Sequence, residues 1–358
     1  MNSNKITVLI PAHNEALTIE QTLTSLLPQL NDRDRIVVVA DNCTDNTAEI
    51  ARKFDVTVLE RTNSDKLGKG YALDYGIQFL KLDAPSTVVL IDADCIVHPN
   101  TVRQLAELAL DSGRPVQATY LQDLPVNPSP KDTISALAVL VKNFVRLQGL
   151  KRLNLPCLLY GTGMAFPWSV ISSVSMANSN IVEDMQLAID LAIAGYPPLY
   201  CPTARVTGIL PQERQASKTQ RTRWEHGHLQ TLITQVPRLV KAAIAQRRWE
   251  LLILALDLGV PPLSLLVMVW GGTTTMAILL GVIGGVWLPV FILAITGLFI
   301  FASIVSSWIE FGRDVPGLAL LTVPLYILWK IPLYVAFLFE PQTEWIKTKR
   351  DELSQVKS

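Results

Sequence analysis

Cysteine is scarce in this 358-residue chain, and the four that occur, Cys43, Cys95, Cys157 and Cys201, lie far apart with no CxxC pair. That spacing excludes a structural zinc site and a disulfide framework, and it suits a reducing compartment. An excess of either charge is also missing. Lys plus Arg and Asp plus Glu both total 31, so no basic footprint marks a nucleic-acid binder. There is no glycine-rich turn after the first apolar run, no internal repeat and no low-complexity segment. A cleavable leader is not expected either, because Ile6–Ile10 is too short and runs into Pro11 and the polar His13, Asn14 and Glu15.

What the chain has in plenty is apolar sequence, 49% of residues, and the excess sits at the C-terminal end. From Leu251 to Glu340 the formal charges are Asp257, Glu310, Arg313, Asp314, Lys330 and Glu340. Uninterrupted apolar runs there exceed the ~20 residues that span a bilayer. The pattern predicts helices over about Leu251–Trp270, Met276–Trp308 and Gly317–Phe339, with Pro261-Pro262, Gly284-Gly285 and Pro289 as kinks or turns. Three spans are the simplest count. The basic tail of Lys347, Lys349 and Arg350 argues for a cytoplasmic C-terminus and hence, with a cytosolic N-terminus, an even number. Upstream, the mixture of basic, aromatic and apolar residues over Lys218–Arg248 suits a helix lying along the headgroup region. The expected organisation is a cytosolic domain over 1–240, a transmembrane region over 251–340 and a cytosolic tail over 341–358.

The first part alternates short β-branched runs with amphipathic patterns, which predicts an α/β fold with a mostly parallel sheet and helices on both faces. Strands are expected at Ile6–Ile10, Arg35–Ala40, Val56–Glu60, Thr87–Ile91 and Pro115–Tyr120, with helices from about Glu15, Thr44, Lys69 and Pro99. Ligands gather at the C-terminal ends of such strands, so the polar residues that follow them are the candidates. A Pro-rich turn, Pro125–Pro130, then leads into a long helix over about Thr133–Lys151.

Asp92-Ala93-Asp94 follows the run Val88–Ile91, which brings two carboxylates out at a strand end, where they can share a divalent cation and its phosphate ligand. Three residues alone fit a solvated turn equally well. Asp41 can accept from a base N–H or a ribose hydroxyl, while Thr44 and Asp45 suit a helix cap, and Lys69 after Gly68 can meet phosphate charge. Glu183-Asp184 opens an amphipathic helix, where the pair also complements the helix dipole. Gly161-Thr162-Gly163 is not a dinucleotide fingerprint, since the third glycine position holds Phe166. His226 and His228 alternate on a helix and so point apart, which favours packing over metal ligation.

In order along the chain stand ITVLIPAHNE (Ile6–Glu15), DNCTDNT (Asp41–Thr47), KGYAL (Lys69–Leu73), the DAD, GTGMAF (Gly161–Phe166), Glu183-Asp184 and QRTRW (Gln220–Trp224). Together these resemble the inverting glycosyltransferase family 2 on a GT-A fold, and the last blocks look most like its membrane-embedded, cellulose-synthase-like and hyaluronan-synthase-like branch. The resemblance implies that Pro11, Ala12, Asn14, Glu15, Asp41, Lys69 and Asp92 bind a nucleotide-sugar donor, most often UDP-linked. It further implies that Asp92 and Asp94 hold Mg²⁺ or Mn²⁺ and that Asp184 is the base. Gly161, Thr162, Gly163, Glu183, Gln220, Arg221, Arg223 and Trp224 would lie on the acceptor and diphosphate side. The acceptor would be a lipid or glycan hydroxyl, the setting a bacterial inner membrane, and the partners those of polysaccharide synthesis or export. Two readings stand beside this one, a polyprenyl-phosphate glycosyltransferase and a non-catalytic membrane scaffold. A sugar nucleotidyltransferase is disfavoured because Pro11–Glu15 occupy the place of its glycine-rich loop.

Overall fold

The computed structural model describes residues 4–124, 128–177, 183–209, 214–312, 317 and 322–339, with backbone alone at 209, 214–220, 310 and 311. An eight-stranded sheet runs in the order β3-β2-β1-β4-β7-β6-β8-β5. Its strands are β1 (Ile6–Ala12), β2 (Arg35–Asp41), β3 (Thr57–Arg61), β4 (Thr87–Leu90), β5 (Cys95–Val97), β6 (Val116–Asp123), β7 (Met164–Pro167) and β8 (Leu199–Ile209). Four pairings are parallel, β1 with β2 and β4, β2 with β3, and β6 with β8. Three are antiparallel, β4 with β7, β6 with β7, and β5 with β8. The parallel half matches the expectation, and the other half makes the sheet mixed.

Strands buried on both faces read as continuous β-branched runs, and Val37, Val38 and Val39 of β2 show no exposure at all. Alternate residues serve opposite faces. Leu9, Val37 and Val39 pack with Leu73 and Ile77 of helix α3 (Lys69–Leu80), whereas Val8, Ile36 and Val38 pack with Leu23 of α1 (Ile19–Leu26) and Leu105 of α4 (Thr101–Ser112). Each such side chain contributes roughly 1.5–3 kcal/mol on burial. A short α2 (Thr47–Ala51) links β2 to β3.

The long helix expected after the Pro-rich turn is present but not uniform. It comprises α5 (Pro130–Leu140), a π turn at Val141–Val145 and α6 (Arg146–Arg152). Ser129 and Asp132 form a reciprocal capping box that starts it cleanly. Residues 125–127 of the expected turn lie outside the described residues. After α7 (Trp168–Ile171) and α8 (Glu183–Ile193) comes α9 (Arg214–Gln246), a single helix that extends through Pro237.

The apolar block divides differently from the expectation. α10 (Trp249–Gly259) is short and packs on the sheet domain, with Leu251, Leu254 and Leu258 wholly buried in the core there. Its Asp257 forms a 2.9 Å ion pair with Arg146 of α6. Pro261-Pro262 is a break and not a kink inside a span, because proline at the cap cannot extend the preceding helix and instead starts the next. Among the described residues two helices are long and apolar enough to cross a membrane, α11 (Leu263–Gly284) and, within α12 (Leu288–Phe311), Leu288–Ile309. Gly284-Gly285 separates them. α13 (Val323–Phe339) is apolar but shorter, with Pro332 inside it. The basic tail, with Lys347, Lys349 and Arg350, lies outside the described residues.

Candidate active site

The C-terminal ends of β1, β2 and β4 face a pocket of about 310 Å³. β1 ends in Pro11 and Ala12, which line it with His13 and Glu15; β2 ends in Asp41; β4 runs through Ile91 to Asp92 and Asp94; and α3 begins at Lys69. From the opposite wall come Gly161, Glu183, Asp184, Arg223 and Trp224. Residues separated by as many as 213 positions in sequence, from Pro11 to Trp224, thus line one cavity.

Lys69 is the electrostatic centre. Its ammonium lies 2.5 Å from Asp92 and 3.8 Å from Glu183, and it donates to the Gly161 carbonyl at 2.8 Å. Burial by itself would lower its pKa, but the carboxylates of Asp92 and Glu183 outweigh that and hold it above the ordinary lysine value. The carboxylates feel the converse. Burial raises both Glu183 and Asp184, and the charge of Lys69 only partly offsets it. Asp184 is therefore more basic than the free carboxylate that the sequence suggests.

Gly161 explains why a glycine is required at this spot. Its φ is +87°, and a Cβ there would sit 3.3 Å from Asp184 Oδ2 and 3.5 Å from Lys69 Nζ. The loop is pinned from behind by Gln117 of β6, whose amide donates to the Thr162 carbonyl and whose carbonyl accepts from the Tyr160 N–H. Thr162 is fully buried, and its hydroxyl accepts from the Asp92 N–H at 3.0 Å. Gly163 serves packing, since a Cβ would come within 2.9 Å of Ala118 and 3.0 Å of Val206. Of the three loop residues, only Gly161 lines the pocket.

Other expected residues lie at the margin. The Asn14 amide is engaged with Thr44 at 3.0 Å, and the Thr44 N–H donates back to it at 2.7 Å. This clasps the β1 loop to the start of α2. Arg61 pairs with Asp41 and approaches the Tyr71 ring at 5.7 Å. Arg221 turns away to Asp132 at 2.8 Å and lines a neighbouring cavity. The side chain of Gln220 lies outside the described residues. His226 and His228 are buried and point at the backbone carbonyls of Leu333 and Leu258, in keeping with packing.

Sequence reasoning missed the pocket's far wall, made of Tyr120 and Gln122 from β6, Lys142 and Asn143 from the π turn, and Tyr160. Lys142 lies 5.2 Å from the Tyr160 ring, and burial, reinforced by nearby Arg146, lowers its pKa to about 8. Asn143 donates to the Tyr120 carbonyl at 3.1 Å, while its own buried Oδ1 has no hydrogen-bond partner among the described residues. Nothing in local sequence marks these positions, since a π turn looks like any helix.

Asp92 and Asp94 present hard oxygen donors to the pocket, and among the described residues no cluster of three or more His, Cys, Asp or Glu side chains is arranged to hold a metal. Such a pair suits Mg²⁺ or Mn²⁺, which take one or two carboxylates and complete their shell with substrate phosphates. It does not suit a cation caged by protein alone.

Comparison with known proteins accords with this geometry. The mannosyltransferase PcManGT from Pyrobaculum calidifontis, solved in complex with GDP-Man and Mn²⁺, matches 94% of this chain and 88% of its own with a TM-score of 0.52 and 17% identity, which establishes the GT-A fold. Probable glycosyltransferase YdaM of Bacillus subtilis (strain 168) is 26% identical over 247 residues, covering 63% of this chain and 55% of that one. The poly-beta-1,6-N-acetyl-D-glucosamine synthase of Staphylococcus aureus (strain COL) is 26% identical over 243 residues, 64% of this chain and 55% of its own. The chain thus spans about half the length of the curated relatives it matches. Residues 3–227, more than half of the chain, match the model described as glycosyltransferase like family 2, and the chain belongs to that family.

Proposed function

We propose that this protein transfers a sugar, with inversion, from a nucleotide-sugar donor to an acceptor hydroxyl at the cytoplasmic face of a membrane. The observation that carries the reading is the meeting of Lys69, Asp92, Glu183 and Asp184 around one pocket beside Gly161. Pro11, Ala12, Glu15 and Asp41 would receive the base and ribose, with Asp41 held in place by Arg61. UDP is the expected nucleotide, by resemblance to the family branch. Asp92 and Asp94 would hold Mg²⁺ or Mn²⁺, which when bound supplies positive charge against the departing diphosphate. Lys69 and Arg223 add fixed cations on two sides of the same pocket.

Asp184 takes the proton of the acceptor hydroxyl as its oxygen attacks the anomeric carbon from the side opposite the leaving nucleotide. Its raised pKa strengthens it as a base. Glu183, tied to Lys69, orients that ammonium. Trp224 offers a face for a sugar ring. Membrane attachment is supported by the outward apolar side chains of α11 and α12, such as Ile283 at 84% and Phe299 at 71% exposure, which water does not favour in such number. Partners in polysaccharide synthesis are suggested by the synthase relatives.

A screen of nucleotide sugars on the purified full chain, read as nucleotide release with Mn²⁺ or Mg²⁺, tests the reading. Asp94→Ala should lose at least ~100-fold in turnover together with metal-dependent nucleotide affinity, as expected when leaving-group charge stabilisation is removed. Full turnover by that variant would remove the metal assignment. No nucleotide binding or release from any donor would leave the scaffold reading in its place.

A further inference from the structure

A second cavity, of about 250 Å³, adjoins the donor pocket. It is enclosed by α5 and the π turn, by α9, and by the start of α11 together with Ile304 of α12 and Ile327 of α13. Its wall is chiefly aliphatic, with Leu137, Ala138, Leu266 and Val267 among its members. Val139, Lys142 and Trp224 line both cavities, so the two are joined through a common wall.

We propose that this second cavity binds the alkyl chain of an amphiphilic acceptor, whose hydroxyl head passes Trp224 and Lys142 to reach Asp184. The inference rests on the transferase reading above and names its acceptor class, a hydroxyl-bearing lipid. Three observations favour a lipid over a glycan. First, most polar groups in the wall are already engaged: Arg221 with Asp132, Arg146 with Asp257, Glu225 with Lys330, and His228 with the Leu258 carbonyl. Among the described residues, Arg146 Nε, Arg221 Nε, Glu225 Oε2 and Asp257 Oδ2 are the atoms of these groups left without a hydrogen bond. The guanidinium N–H groups can donate to an ester or ether oxygen and the carboxylate oxygens can accept from a hydroxyl, which is far short of what successive sugars need when removed from water.

Second, the volume lies just below the ~300 Å³ at which whole-ligand pockets begin, which suits a segment of chain continuing elsewhere. Third, the cavity is bounded by the first turns of α11, a helix of spanning length and composition. A chain leaving it enters surroundings as apolar as the cavity itself.

The experiment uses the full chain in nanodiscs with a 1-O-hexadecylglycerol carrying a diazirine near the chain terminus, and maps photolabelled peptides by mass spectrometry. The wild type should be labelled on α5, α9 and the start of α11. Leu266→Trp and Ala138→Phe, which fill the cavity from different helices, should each cut that labelling at least fivefold. Mn²⁺-dependent UDP and GDP affinity, measured on the same samples, should be unchanged. For 1-O-alkylglycerol competitors of increasing length, affinity should rise roughly fourfold per methylene, equivalent to ~0.8 kcal/mol, and level off sooner in Leu266→Trp.

Labelling spread over the outer faces of α11 and α12, or labelling in the cavity that both variants leave intact, overturns the lipid assignment. If a variant also loses nucleotide affinity it has misfolded, and the wild-type label positions and chain-length profile then decide. Absence of nucleotide binding in the wild type is a separate failure, and it falls on the transferase reading.

Discussion

Asp184 illustrates how burial alters a carboxylate without a change in the sequence around it. Removal from water raises its pKa above the ordinary aspartate value, with the charge of Lys69 pulling the other way. A base whose pKa is raised becomes protonated earlier on acidification, so transfer should fall as pH drops through a midpoint above ~3.9, the unperturbed value. Asp184→Asn keeps the shape and cannot take the proton. It should retain donor binding while transfer falls about 10²- to 10⁴-fold. A pH–rate profile with an unshifted acid limb, or equal loss of binding and transfer, would make Asp184 a structural residue. At this scale Asp92, Lys69, Glu183 and Asp184, drawn from both sides of the pocket, were legible, because they sit at strand ends and helix starts, where local pattern places them. Lys142 and Asn143 were not, because whether a mid-helix residue faces the pocket depends on how α5 packs and where its turn widens.

At the scale of elements, α9 carries Arg223 and Trp224 to the pocket at the strand ends and Arg221 and Trp224 to the adjoining cavity. A headgroup anchor would tolerate conservative change there. A fork-shaped contact to diphosphate would not, since lysine keeps the charge but loses the bidentate geometry. Arg223→Lys should fold and bind donor yet transfer roughly ten times more slowly, and Trp224→Ala should raise the acceptor concentration required with donor affinity unchanged. Unaltered kinetics in both would leave only the anchoring role. Long β-branched runs such as Arg35–Asp41 announce their strands. The three-residue β5 and the irregular β8, whose pairing with β6 shifts register between Ala118 and Thr119, depend on partners far away in sequence and carry no such mark. The division of the apolar block was misread for a related reason. Hydropathy alone does not distinguish α10, whose Asp257 and buried leucines commit it to the sheet domain, from a helix facing lipid.

For the whole molecule, the common wall of the two cavities ties the reaction to the helices beyond it. α11 has 22 residues and α12 has 24, which at ~1.5 Å rise per residue is about 33 and 36 Å. A bilayer's hydrocarbon core is ~30 Å thick. Helices slightly too long for the bilayer take up the difference by tilting. Because the first turns of α11 also bound the cavity beside Trp224, a change of tilt there would move one side of the proposed acceptor path to Asp184. On the proposed membrane-bound transferase, hydrophobic mismatch would become a variable of catalysis. Reconstituted in phosphatidylcholines of graded acyl length, the enzyme should show a turnover maximum at one thickness and a decline on either side, with nucleotide affinity constant throughout. A profile that stays flat across thin and thick bilayers would mean that α11 adjusts without moving the cavity wall.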